Sequence, residues 1–133
     1  MSLFELKSPI AVDLCLFEKM KKTATELLRD AEKGQHTQAV VLFSAQGNEY
    51  GRVIKDTIAE DISDEMALIE SLKAADDTEI KYVLGMWQCG GIDIPSYRLR
   101  KMLCELNCQN AESLLLVMTF DGISGIKVAV TMK

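Results

Sequence analysis

The sequence predicts an α/β domain of 133 residues built on a mixed five-stranded sheet whose last two strands run antiparallel. Three observations carry this expectation. Apolar runs of strand character alternate with segments whose apolar residues recur at helical spacing, in the order α-β-β-α-β-α-β-β. The strand-helix-strand-helix-strand stretch in the middle implies right-handed crossovers and a largely parallel sheet centre. Only the turn Asp121-Gly122 separates the last two strands. That is too short for a crossover helix, so the two should be antiparallel neighbours.

The elements are taken in chain order. A first helix is expected from Ser8-Pro9, a capping residue followed by a first-turn proline, with Phe17, Met20, Ala24, Leu27, Leu28 and Ala31 on one face and Gly34 as its stop. Ala39–Phe43 reads as the first strand, Gln46-Gly47-Asn48 as a turn, and Glu49–Ile54 as the second strand. The second helix opens at Ser63, read as its N-cap. It buries Leu68, Ile69, Leu72 and Ala75 and is broken by Asp76-Asp77. A third strand runs from Ile80 to about Trp87, and Cys89-Gly90-Gly91 form a loop. The third helix starts at Pro95 and buries Leu99, Met102, Leu103 and Leu106. The unbroken apolar run Ser113–Phe120 suggests a central strand covered on both faces. The last strand places Ile126, Val128, Val130 and Met132 on one side and Lys127, Thr131 and Lys133 on the other, as a half-exposed edge does. Strands one, three and four should form the sheet centre.

Composition narrows the function classes. With 48% hydrophobic residues the chain has the make-up of one globular domain, residues 1–133, with one core. No run of 18 or more apolar residues appears, so no membrane span is expected. Asp13 and Glu18 interrupt the apolar stretch near the N-terminus, which reads against a secretory signal. Four cysteines without framework spacing (Cys15, Cys89, Cys104, Cys108) suggest reduced thiols and a cytoplasmic location. A net charge of −5 argues against a nucleic-acid partner, because phosphate binding rests on a Lys/Arg surface.

Two motifs carry chemistry. Ser63-Asp64-Glu65-Met66-Ala67-Leu68-Ile69 opens the second helix, and Pro95-Ser96-Tyr97-Arg98-Leu99-Arg100 opens the third. With their element order, they resemble the active-site helices of the cytidine deaminase superfamily, whose motifs are His-Ala-Glu and Pro-Cys-x-x-Cys-Arg. The resemblance covers about Ser8 to Lys133. Its antiparallel end is similar to the free-nucleoside branch rather than the tRNA-adenosine branch. It implies a three-layer deaminase-like fold in which both helix starts converge on one pocket. Members of that family hold zinc through one His or Cys and two Cys, and the metal lowers the pKa of a bound water to roughly 7, supplying the attacking hydroxide. Here Ser63, Ser96 and Leu99 stand at the three ligand positions. A serine hydroxyl is a poor zinc ligand near neutral pH and leucine is none, so no metal and no cofactor are expected. Glu65 matches the proton-shuttling glutamate. The family's nucleoside-binding Asn and Glu fall, without gaps, on Arg52 and Ile54.

Each residue also has a plainer reading. Ser63 and Glu65 suit the first turn of any helix. His36, the one histidine, lies in a loop, and Cys104 and Cys108, four apart on the third helix, read as small buried apolar residues. The function expected is therefore that of a catalytically inactive, zinc-free deaminase-fold protein that acts by binding, as a regulatory or structural subunit in a homo-oligomer or with a protein partner. Two alternatives stand beside it. The vestigial pocket, with Ser63, Glu65, Ser96, Tyr97, Arg98 and Cys89 around it, could take a nucleotide or another small anionic ligand at its two helix ends. Cys89, activated by Arg98, or Glu65 could instead serve an enzyme of different chemistry.

Overall fold

The computed structural model describes residues 12–120 and 122–132. In chain order the elements are α1 Leu14–Arg29, β1 Gln38–Ser44, β2 Glu49–Ile54, α2 Ser63–Ala74, β3 Ile80–Trp87, α3 Tyr97–Leu106, a 3₁₀ turn Cys108–Glu112, β4 Leu114–Thr119, β5 Gly122–Lys127 and a short α4 Val128–Thr131. The strands form one sheet in the order β2-β1-β3-β4-β5. Strands one, three and four thus occupy its centre, and β4 and β5 pair antiparallel from Leu114↔Lys127 to Thr119↔Gly122.

Helices cover both faces, because side chains alternate along each strand. From β1, Val40 and Leu42 join Leu68, Ile69 and Leu72 of α2 and Leu99 and Leu103 of α3 in one buried cluster. Ala39 and Val41 point the other way, onto Phe17, Met20, Ala24 and Leu28 of α1. β1 is apolar from Ala39 to Phe43 because both of its faces are covered.

Several expectations need correction. The sheet centre is not largely parallel. The β1–β2 hairpin reverses the chain before the α2 crossover, so β3 runs parallel to β2 and antiparallel to β1, which lies between them. Only β3 and β4 pair in parallel. The Ser8-Pro9 helix start lies outside the described residues. α1 opens at Leu14, capped by the Asp13 carboxylate, which accepts from the amides of Cys15 (2.9 Å) and Leu16 (3.4 Å). It ends at Arg29, short of Gly34, where Gln88 ties down the connection by donating to the Ala31 carbonyl and accepting from the Gly34 amide. β4 is covered on both faces only in its first half. Leu115 and Leu116 are buried, whereas Met118 and Phe120 are exposed. The last strand ends at Lys127, and Val128–Thr131 turn into a helix, so the alternation Ile126, Val128, Val130, Met132 does not mark an extended strand.

Close backbone approach fixes the segment leading into α3. The Trp87 amide donates to the Gly91 carbonyl (2.8 Å) and the Asp93 amide to the Gly85 carbonyl (3.0 Å), laying residues 91–93 along the end of β3. A Cβ at Gly85 would collide with the Asp93 carbonyl oxygen and the Gln38 side chain.

Candidate functional site

The starts of α2 and α3 meet on one side of the sheet. Ser63 is not the N-cap of α2. It is the first helical residue, and the cap position is Ile62, which has no capping side chain. The capping bond comes instead from Asp61, whose carboxylate accepts from the Ser63 amide (2.9 Å). Hydrogen bonds from the Ser63 backbone and hydroxyl hold the Asp61 carboxyl below its ordinary range. Ser63 itself is exposed. One residue on, Asp64 ties α2 to β2 by accepting from the Lys55 amide (3.1 Å) and from Arg52 (3.3 Å). Arg52, aligned with the family's nucleoside-binding Asn, is thus bonded to α2.

α3 opens at Tyr97 rather than Pro95. Ser96 is its N-cap, and its Oγ accepts from the Leu99 amide (3.3 Å). Proline at 95 ends the extended approach without needing a donor. Leu99 is 1% exposed and packs into the α2/α3 cluster. Tyr97 is exposed, and the Arg100 guanidinium lies 5.8 Å from its ring centroid.

The centre of the arrangement is an ion pair. Glu65 is 1% exposed, and its Oε2 accepts from Arg98 Nε at 2.5 Å. The same guanidinium donates from Nη1 to the Ala59 carbonyl and from Nη2 to the Asp56 carbonyl (3.1 Å). Arg98 therefore joins the first turns of α2 and α3 to the loop before α2. Glu65 Oε1 is buried with no partner among the described residues. A cation bonded to a carboxylate this dry is structurally consequential, since removing one partner leaves an uncompensated buried charge.

The remaining sequence candidates lie elsewhere. Cys89 is exposed and lines a groove between α1 and the end of β3, beside Lys21 and Arg29. Cys108 is not on α3: it opens the 3₁₀ turn and is exposed. Cys104 is half-buried, and desolvation, with Glu105 nearby, pushes its thiol up. His36 is exposed and contributes only its carbonyl, to the Thr57 amide (3.0 Å).

Sequence reasoning missed two features. It took Arg98 for a ligand-binding cation, whereas the guanidinium is spent on Glu65 and two carbonyls. The available signal was a pair of opposite charges in the first turns of two helices expected to converge. It also read Asp77 only as a helix breaker. Asp77 is 1% exposed, and its Oδ2 accepts from Ser44 Oγ (2.7 Å), Asn48 Nδ2 (3.0 Å) and Tyr50 OH (2.7 Å), pinning the β1–β2 hairpin to the far end of α2.

Solved structures match this architecture. Cytidine deaminase from Mycobacterium leprae is similar at 19% identity, with 83% of this chain and 92% of that chain covered and a TM-score of 0.58. Cytidine deaminase from Mycobacterium tuberculosis matches at 15% identity over 90% and 93% of the two chains, with a TM-score of 0.61. The Burkholderia pseudomallei enzyme matches at 13% identity over 84% and 92%, with a TM-score of 0.56.

The chain has the cytidine deaminase-like fold.

No protein-family model matches the chain, and no curated protein matches it in sequence. The likeness at these identities is one of fold. The zinc that the deaminase resemblance implies does not fit the residues present. The Ser96 hydroxyl accepts an amide hydrogen bond, Leu99 offers hydrocarbon, Ser63 is exposed, and Arg98 brings a permanent positive charge to Glu65. Among the described residues, no three His, Cys, Asp or Glu side chains form a group able to hold a metal. No described helix is long and apolar enough to cross a membrane.

Proposed function

We propose that this protein is a catalytically silent deaminase-fold protein that works by binding, as a structural or regulatory subunit in an assembly of its own copies or with a protein partner, in the cytoplasm. One observation carries the reading: the glutamate matching the proton shuttle is buried against Arg98. A general acid–base group must reach a reacting atom. Here one carboxylate oxygen is bonded to a guanidinium that is itself fixed to two backbone carbonyls. The donor set at Ser63, Ser96 and Leu99 supplies no means of generating a metal-bound hydroxide, so Glu65 has no activated water to manage.

The test has two arms. Elemental analysis of protein purified without chelator should give far less than one zinc per chain. An absorbance assay with cytidine and deoxycytidine should show no turnover above that of the Glu65→Gln variant. Stoichiometric zinc lost on changing Ser63 or Ser96, or deamination that vanishes in Glu65→Gln, would overturn the reading.

A further inference from the structure

We propose that the groove between the end of α1 and the end of β2 binds a free amino acid with an apolar side chain, held as its zwitterion. The inference goes beyond the reading of the chain as a silent subunit, because it names a ligand and a second site. The groove lies across the sheet from Glu65 and Arg98. Val53 pairs with Ala39, which points onto α1, and Leu27 packs in that same cluster, whereas α2 and α3 cover the other face. The groove holds about 460 Å³, within the roughly 300–1,000 Å³ of small-molecule sites. Its floor is aliphatic, made by Leu27, Ala31 and Val53, and its rim carries charges of both signs, Asp30 and Glu32 with Lys33 and Lys55.

The walls are held in place at their backbones. The Gly34 amide donates to Gln88 Oε1 (2.9 Å), and Gln88 Nε2 donates to the Ala31 carbonyl (3.2 Å). Thr37, buried at the base, donates from its hydroxyl to the Lys55 carbonyl (2.9 Å), tying the α1–β1 connection to the end of β2. The connection closes this tightly only because residue 34 has no side chain: a Cβ there would stand 2.7 Å from Thr37 Oγ1. A groove formed in advance leaves little ordering to be done when a ligand enters.

The rim selects the ligand. Among the described residues none of its four charged side chains is in an ion pair. A simple anion would face Asp30 and Glu32 as well as the lysines, and a simple cation would face Lys33 and Lys55 as well as the carboxylates. A ligand carrying an ammonium and a carboxylate on one carbon is matched by both pairs. The ammonium is favoured further by the end of α1 at Arg29, where the last carbonyls lack helical donors and the negative end of the dipole lies. The carboxylate then falls to Lys33 and Lys55. The side chains of Leu27, Ala31 and Val53 offer no hydrogen-bonding group, so the part of the ligand that reaches them is hydrocarbon.

The test is calorimetric titration of the full chain with leucine, methionine and phenylalanine, set against glycine, N-acetylleucine and leucinamide. At least one of the three apolar amino acids should bind saturably. Glycine, which lacks the side chain, and the two capped forms, each lacking one charge, should bind at least about tenfold more weakly. Asp30→Lys and Lys55→Glu, both at exposed positions, should each weaken binding by a similar factor, with circular dichroism confirming that they fold. No saturable binding of leucine, methionine or phenylalanine up to about 10 mM overturns the proposal. So does binding that both capped forms retain in full, or that both folded variants leave unchanged. A zinc-containing, active protein that meets these criteria would sink the silent-enzyme reading and leave the groove standing, and a zinc-free, inactive protein that binds none of the three would do the reverse.

Discussion

The two ends of α2 each bury a carboxylate, and they hold it in opposite ways. At the N-terminus Glu65 is met by a guanidinium, and the positive end of the helix dipole adds to the stabilisation. Past the C-terminus, where the dipole disfavours an anion, Asp77 is met by three neutral donors from the β1–β2 hairpin. The contrast teaches where each end is vulnerable. The N-terminal end depends on one cation, so a single substitution strands a charge. The C-terminal end shares its anion among a hydroxyl, an amide and a phenol, so losing one donor leaves two.

The largest expected effect is therefore at the N-terminal end. Arg98→Ala should cost about 3–5 kcal/mol in urea denaturation, the penalty of an uncompensated buried charge. Glu65→Gln should cost less, because the charge it leaves, on Arg98, is 26% exposed and still bonded to two backbone carbonyls. If Arg98→Ala proves no worse than a surface change, the guanidinium is not what holds Glu65 and the comparison fails. Leu99→Ala, beside the same ion pair, should cost about 2–5 kcal/mol by opening a cavity where α3 packs on α2. A negligible shift in midpoint would place Leu99 outside the core.

At the other end, Asp77→Asn should cost about 1–3 kcal/mol, because the neutral amide cannot accept all three bonds as a carboxylate does. The pH dependence sharpens this. Burial pushes the Asp77 carboxyl up, but hydrogen bonds from Asn48, Tyr50 and Ser44 outweigh it and leave the group below its ordinary value. Its stabilisation should be complete above the unfolded carboxylate value, about 4, and lost as pH falls from there through the lower folded value. In Asp77→Asn that part of the acid transition should vanish. Tyr50 responds at alkaline pH. Its bond to Asp77, with burial and the nearby negative charge, raises the phenol above 10, so its contribution should persist at neutral pH and fade as pH climbs through the raised value. The smallest effect belongs to Arg52→Ala, which breaks a half-exposed pair with Asp64 and should cost about 0.2–1 kcal/mol, less at high salt. A larger loss would mean that the second carboxylate of this turn shares the dependence of Glu65.

What the sequence revealed, and what it concealed, follows from the range of the interactions. β2 and β3 have the bounds expected of them, Glu49–Ile54 and Ile80–Trp87, because turn residues flank each run. Asp76-Asp77 do end α2, but by a mechanism the pattern did not disclose. Asp76 takes φ 50° and the Asp77 amide reaches back to the Leu72 carbonyl (3.0 Å), a Schellman turn built without glycine. That turn delivers Asp77 into the protein, and its three donors lie roughly 30 residues earlier, beyond any local pattern. The end of β5 was misplaced because Val128 and Val130 favour strands in isolation, while the structure buries Val128 against the α2/α3 cluster from a helical turn. The substitutions at Ser63, Ser96 and Leu99 were plain in the sequence. What answers Glu65 was not, because Arg98 and Glu65 meet only through the packing of α3 on α2.

Gly85 carries a lesson for redesign. It sits mid-strand, away from both helix starts, and has no reactive group to offer. Yet residues 91–93 lie against it so closely that even a methyl group would push them off β3. Those residues lead directly to Ser96, Arg98 and Leu99. Anyone grafting a new site onto this scaffold should treat the site residues as negotiable and Gly85 as fixed, because the position of α3 is set in part by a side chain that is not there.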